Sequence, residues 1–228
     1  FSEGFAGVKK GGKWGYIDKT GKLFVQPLYD DAYPFSEGLA RVKQGNKQGY
    51  IDKTGAIVIP VQFTNASEFK EGLARVKIGD YRTGKWGFID KTGKVIIDYK
   101  FDDCWDFSEG LANIRLGDEA TGKWGYIDKT GSMVITPKFD KSYFFRDGMA
   151  LIRVGDFKSG KFGYIDKTGV MVVSPLFYGA FHFSEGVASV KLTKDDKWGF
   201  IDKTGKFIIP GQFEVANDFA GGLSYVQI

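Results

Sequence analysis

One seven-residue phrase, glycine–aromatic–Ile–Asp–Lys–Thr–Gly, occurs six times in this chain of 228 residues, at 15–21, 49–55, 87–93, 125–131, 163–169 and 199–205. Successive copies start 34, 38, 38, 38 and 36 residues apart. A period of this length marks an array of one supersecondary unit, which can bury its apolar face only against a neighbouring copy. Four copies follow a Trp (Trp14, Trp86, Trp124, Trp198), while Gln48 and Phe162 hold that place in the other two. A second phrase, Phe-x-Glu-Gly-Leu-Ala-x-Val in looser form, recurs with its Phe at Phe1, Phe35, Phe69, Phe107, Phe145, Phe183 and Phe219. A third is an apolar run closed by Pro and an aromatic, as in 57–63 and 207–213.

Within one unit the residue alternation predicts strands. Leu39-Ala40-Arg41-Val42-Lys43 alternates apolar or small with polar, and Ile57-Val58-Ile59 is a continuous apolar run bounded by turn residues. No segment keeps an i, i+3, i+4 apolar pattern over ten residues, so almost no helix is expected. Asp-Lys-Thr-Gly reads as a hairpin turn, with Asp at the first position of a type I turn and Gly as the left-handed residue of a bulge. The Trp of Trp-Gly is expected to pack, with its Gly allowing close approach. Gln48 is expected to mark a wet or terminal site. The Phe of Phe-Ser-Glu-Gly is expected to anchor the core, followed by a Gly at positive φ. A short fourth strand fits at 31–35 and its equivalents.

The strings KWGYIDKTGK (13–22), FIIP (207–210), YDDA (29–32) and FSEGLARV (35–42), in fixed order, resemble the WG-repeat family of bacterial proteins. That resemblance implies an all-β repeat and says little about activity. It favours a bacterial secreted, periplasmic or surface-associated setting. The expected architecture is a single domain, 1–228, with units at 1–34, 35–68, 69–106, 107–144, 145–182 and 183–218 and a closing or capping strand at 219–228. Four strands per unit suit a six-bladed β-propeller closed by pairing of the two termini. The alternative is an open β-solenoid of hairpins, which accommodates the seventh copy of the Leu-Ala-x-Val strand as a cap.

Composition narrows the function classes. With 43% hydrophobic and 26% charged residues the chain can build a core, so wholesale disorder is excluded. The single Cys104 permits no internal disulfide, and with a single His182 no Cys/His metal cluster. No catalytic elbow, phosphate loop or EF-hand run is present, so neither catalysis nor a cofactor is expected. The formal charge of +4 comes from Lys and Arg interleaved with Asp and Glu in every unit, which argues against nucleic acid. No apolar run is long enough for a membrane helix in this segment. The first residue is Phe rather than Met, so a processed or trimmed chain is expected.

Recognition is expected where units differ. The pair before the anchoring Phe varies: Tyr33-Pro34, Ser67-Glu68, Trp105-Asp106, Tyr143-Phe144, Phe181-His182 and Asn217-Asp218. Tyr33, Trp105, Tyr143 and Phe181, with His182, form one candidate set, suited to gripping a peptide or stacking on a sugar, or else to filling space between units. The second set is Tyr81 and Phe157, at tips of the longer hairpins. The leading expectation is a non-catalytic binding or scaffold module for a protein partner. The alternatives are a lectin-like carbohydrate-binding module and an enzyme with its site at the mouth of a ring.

Overall fold

The computed structural model describes residues 1–228, in 25 strands and no helix. The chain divides into two compact units, Phe1–Asp106 and Phe107–Ile228. The first unit holds a three-stranded sheet of Phe5–Lys10, Lys13–Asp18 and Leu23–Tyr29. Two four-stranded sheets follow. One is Asp31–Ser36, Leu39–Gln44, Lys47–Asp52 and Ile57–Phe63; the other is Asn65–Ala66, Leu73–Ile78, Lys85–Asp90 and Val95–Phe101. The two-residue strand Asp103–Cys104 lies at the unit's end. In the second unit Ala112–Leu116, Lys123–Ile127 and Met133–Phe139 pair in order. Two four-stranded sheets run from Lys141 to Phe177 and from Gly179 to Phe213, and Val215–Ala216 pairs with Val226–Gln227. Each sheet is an antiparallel meander in chain order, the construction of a propeller blade.

The expected turns form as the residues dictate. In the first copy the Gly21 amide donates to the Asp18 carbonyl and the Asp18 amide to the Lys22 carbonyl, with Gly21 at φ 83°. The Asp18 carboxylate accepts from the Thr20 hydroxyl (2.6 Å), the Thr20 amide (2.8 Å) and the Lys22 amide (3.1 Å). All six copies close this way, and the Thr hydroxyl, foremost, holds each Asp below the usual carboxylate range.

The Trp-Gly glycine answers a second backbone need. The strand that carries the Trp-Gly position and the strand after it share one irregularity in all six repeats: Trp86 pairs with Phe101, but two residues on Phe88 pairs with Ile97. The extra residues arch the fourth strand over Gly87. A Cβ there would lie 2.5 Å from the Ile97 carbonyl oxygen, and one on Gly125 would lie 2.3 Å from that of Ile135.

The core lies between consecutive sheets. Tyr16, Val25 and Tyr29 of the first sheet pack with Phe35, Ala40, Val42 and Ile51 of the second. Tyr50, Ile59 and Phe63 of the second pack with Phe69, Ala74, Val76 and Ile89 of the third. The second unit repeats the scheme with Tyr126 against Phe145 and Tyr164 against Phe183. Leu39 and Ala40 therefore face different neighbours, as alternation along a strand requires. The Tyr after Trp-Gly also ties the sheets: Tyr16 Oη donates to Tyr33 O, Tyr50 to Ser67 O, Tyr126 to Tyr143 O and Tyr164 to Phe181 O, at 2.6–2.8 Å.

Two expectations need correction. Gln48 is not wet: it is buried, and its Oε1 accepts from Arg41 Nη1 (2.8 Å) and the Ala66 amide (3.0 Å). A polar side chain fills an indole position because an arginine and an amide satisfy it. Phe1 is not an anchor: it is 75% exposed, whereas Phe35, Phe69, Phe107, Phe145 and Phe183 are buried. Phe35, Phe69, Phe145 and Phe183 each pack on a Tyr of the sheet before them.

Gly125→Ala is expected to lower stability by about 2–3 kcal/mol, because backbone oxygen rather than a movable side chain meets the new methyl. Urea unfolding checks this, and an unchanged midpoint would contradict the close approach. Tyr50→Phe removes one buried hydrogen bond and is expected to cost about 1 kcal/mol. It should still fold, since Phe88 and Phe200 hold the equivalent place.

Candidate functional site

The Phe-Ser-Glu-Gly segment fixes where the variable pair sits. Ser and Leu bracket a two-residue turn in which both Glu and Gly take positive φ, 51° at Glu37 and 91° at Gly38. That is a type I′ hairpin, and Glu is an unusual occupant of its first central position. Its carboxylate accepts from the glycine amide of the next turn: Glu37 from Gly72 (3.0 Å), Glu109 from Gly148 (3.0 Å) and Asp147 from Gly186 (2.6 Å). A turn lysine completes each latch, Lys91 on Glu37 (3.0 Å), Lys167 on Glu109 (3.1 Å) and Lys203 on Asp147 (2.8 Å). The serine hydroxyl donates to the next anchor's carbonyl: Ser36 to Phe69, Ser108 to Phe145 and Ser184 to Phe219, at 2.7–2.8 Å. The latch was not expected from the sequence. Its signal was there, since Glu is common to the repeat yet lies in a turn that does not call for it.

Between the latch and the Tyr hydroxyl hangs the variable pair. The first residue's carbonyl is held by that hydroxyl in four copies, and the residue after the pair is a buried Phe. The pair is thus pinned at both ends while its side chains differ. In the first unit, Tyr33 is half-buried and donates to Asp31 Oδ2 (3.0 Å), with the Arg41 guanidinium 3.4 Å from its ring centre. It lines a cavity of about 310 Å³ with Phe1, Phe5, Trp14 and Pro34. Trp105 is 43% exposed, with Arg75 at 5.5 Å from its ring. Arg75 also donates from Nε to Asp106 (2.9 Å) and to the Cys104 carbonyl, and Lys70 reaches Asp106 at 3.3 Å. Cys104 is fully buried, and burial pushes its thiol up, as an inert structural cysteine requires.

In the second unit the structure brings Tyr143, Phe144 and His182 together. The imidazole stacks on Phe144 at 4.1 Å and meets Tyr143 edge-on at 5.8 Å. Phe181 turns the other way, onto Trp198 at 5.1 Å, and remains 42% exposed. Beside this cluster Arg146 donates to Asp218 (2.6 Å) and to the Ser184 hydroxyl (2.7 Å). His182 Nδ1 and Asp218 Oδ1 are buried and take no hydrogen bond from the protein. Burial lowers the His182 pKa; the Asp218 charge opposes that and Arg146 adds to it. Tyr81 and Phe157 sit at hairpin tips, 70% and 86% exposed, near Lys77 (5.7 Å) and Arg153 (5.4 Å). No three His, Cys, Asp or Glu side chains converge as a metal site would need.

His182 is the only histidine, so its titration is readable by itself. Its folded pKa lies below the ordinary value near 6.5. Its contribution to stability is therefore complete above that value and falls away as pH drops through it towards the folded pKa. A proton NMR titration of the imidazole is expected to give a midpoint under 6.5. A midpoint at or above it would show that the ring is not desolvated as described.

No curated protein matches the chain in sequence. Among solved structures it is similar to a eukaryotic initiation factor, at 14% identity and TM-score 0.62, over 91% of this chain and 62% of that one. It is also similar to Kluyveromyces lactis Hsv2 (10% identity, TM-score 0.48, 88% and 70% covered) and to a protein of unknown function from Bacteroides caccae (16%, 0.36, 90% and 92%). The chain thus spans less than two thirds of the initiation factor, and that likeness, to a β-propeller protein, concerns the fold alone. The WG containing repeat matches at residues 1–14, 14–47, 49–81, 86–119, 124–156, 162–198 and 198–228, and the chain belongs to that family.

Proposed function

We propose that the chain is a non-catalytic binding or scaffold module whose partner is a protein. One observation carries the reading. The polar groups common to the repeats are engaged inside the array: the Asp of each turn by its own Thr, the Glu by the next glycine amide, the Tyr hydroxyl by the next carbonyl. Among the residues that face solvent, several of those that differ between repeats are aromatic: Trp105 and Tyr81 in one unit, Phe157 and Phe181 in the other. Aromatic side chains and arginine are what protein interfaces use as anchors. Arg75 and Arg146 stand beside the variable pairs, each already oriented by a carboxylate.

Carbohydrate at Trp105 is the weaker reading. A sugar platform needs carboxylate or amide oxygens free to accept from hydroxyls. Arg75 and Lys70 already occupy both oxygens of Asp106.

The test is affinity capture from the source organism with mass-spectrometric identification, run beside a Trp105→Ala chain and a Tyr81→Ser/Phe157→Ser chain. The expected result is one protein held by the parent chain and reduced at least about tenfold by one of the variants, the loss typical of a buried interface anchor. Capture that is equal for all three chains would sink the assignment of these rings.

A further inference from the structure

A different site stands out where one repeat breaks the pattern of the others. Immediately before the Trp-Gly position a lysine reaches an acid 17 residues on: Lys13 to Asp30 (2.5 Å), Lys85 to Asp102, Lys123 to Asp140 and Lys197 to Glu214 (3.1 Å). Two sheets lack that acid. In one, Lys161 meets Tyr178 instead (5.7 Å from the ring) and donates to the Leu192 carbonyl at 3.3 Å. In the other, Lys47 meets Thr64, with a single long contact of 3.3 Å to its hydroxyl, which itself donates to Gly79 O. The next residue in the same strand is Gln48, where four sheets carry Trp. Removing an indole and a carboxylate from adjacent places leaves a polar cavity of about 470 Å³, lined by Lys43, Lys47, Gln48, Thr64, Asn65 and Tyr81 among others.

The lining states its own chemistry. Lys47 forms no ion pair, Lys43 feels the Asp30 charge only beyond ion-pair distance, and the Asp80 carboxylate is tied to the Arg82 and Thr83 amides. The Gln48 and Asn65 oxygens already accept from Arg41 and the Ala66 amide, so these side chains offer their NH2 groups as donors to hydroxyl and carboxylate oxygens, and Tyr81 puts an exposed ring at the edge. Ammonium groups suit an anion, amides suit hydroxyls, and an exposed ring suits the apolar face of a sugar. The volume falls in the range of small-molecule sites. We propose that this cavity binds an acidic saccharide, with the carboxylate of a uronic acid at Lys43 and Lys47 and the sugar ring against Tyr81. The proposal shares Tyr81 with the protein-partner reading but does not rest on it, because its anion contacts are Lys43 and Lys47 and its test variants leave Tyr81 in place.

The structure supplies its own control substitution. Thr64→Asp installs the acid that four other sheets carry, so the variant should fold while Lys47 becomes ion-paired. Lys47→Gln removes the charge at an exposed position. Binding of digalacturonate would be measured by calorimetry and by amide shifts, beside the neutral digalactose and sodium sulfate. The expected result is digalacturonate binding with shifts at Lys47, Thr64, Asn65 and Tyr81. Digalactose and sulfate should bind at least about tenfold more weakly, and each substitution should weaken digalacturonate about tenfold. Equal binding of digalactose, equal binding of sulfate, shifts confined to other residues, or full affinity in Thr64→Asp would each overturn the proposal. So would no heat and no shift with digalacturonate at about 10 mM.

Discussion

The contact on which this array depends is the Tyr of one sheet lying against the anchor Phe of the next. The ring centres are 5.3 Å apart for Tyr16 and Phe35, 5.0 Å for Tyr50 and Phe69, 4.9 Å for Tyr126 and Phe145 and 4.7 Å for Tyr164 and Phe183. Each such pair contributes about 0.5–1.5 kcal/mol beyond the area it buries. The Tyr hydroxyl adds direction, since it must find an acceptor in a dry interface and takes the carbonyl two residues before that Phe. A sheet of three or four short strands has too little apolar surface to stand alone. It is completed by the face of the following repeat, so local and long-range order are set by the same two residues.

The local half of this was legible in the sequence. Strands follow from the alternation in Leu39–Lys43, and the Asp-Lys-Thr-Gly turn follows from carboxylate and glycine chemistry confined to five residues. Cys104 lies at the place that Ala32, Ala66 and Ala180 hold in other repeats, and it is buried there. What escaped was chemistry acting across a repeat. The Glu37 carboxylate meets Gly72, 35 residues on, and Lys47 is measured against an acid that would lie 17 residues on. Gln48 misled because its neighbour in space, Arg41, is seven residues away on the paired strand. A polar residue at a core position looks wet until its partner is placed. Tyr81 and Phe157 were legible as hairpin-tip residues, whereas for Trp105 and Phe181 the sequence left recognition and packing between units both open, and the contrary directions of Phe181 and His182 follow from strand geometry alone.

A repeat also changes how strain is to be interpreted. Left-handed Glu37 would be anomalous in a single turn, yet five further turns place Glu or Asp at φ 51–55°. The cost of order 1 kcal/mol or more per residue is offset by a charge-assisted bond to an amide that would otherwise lie at an interface. The latch lysines sit on partly exposed carboxylates, so their ion pairs add little stability. Their role is to fill the remaining lone pairs of a carboxylate whose position the backbone has already fixed.

The same reasoning separates scaffold from recognition without any comparison between species. Six near-copies in one chain are their own alignment: a residue that recurs and has an internal partner is consumed by folding, and a residue that departs is free to do something else. The variable pair qualifies because the Tyr hydroxyl and the anchor Phe hold its backbone whatever its side chains are. A loop held at both ends by a core tolerates substitution without losing its shape, which is the condition for presenting side chains to a partner. Lys47 with Thr64 qualifies for the complementary reason. There a recurring partner is withdrawn rather than a new group added, and withdrawing a carboxylate beside a lysine leaves a positive site on a framework whose geometry the other sheets already define.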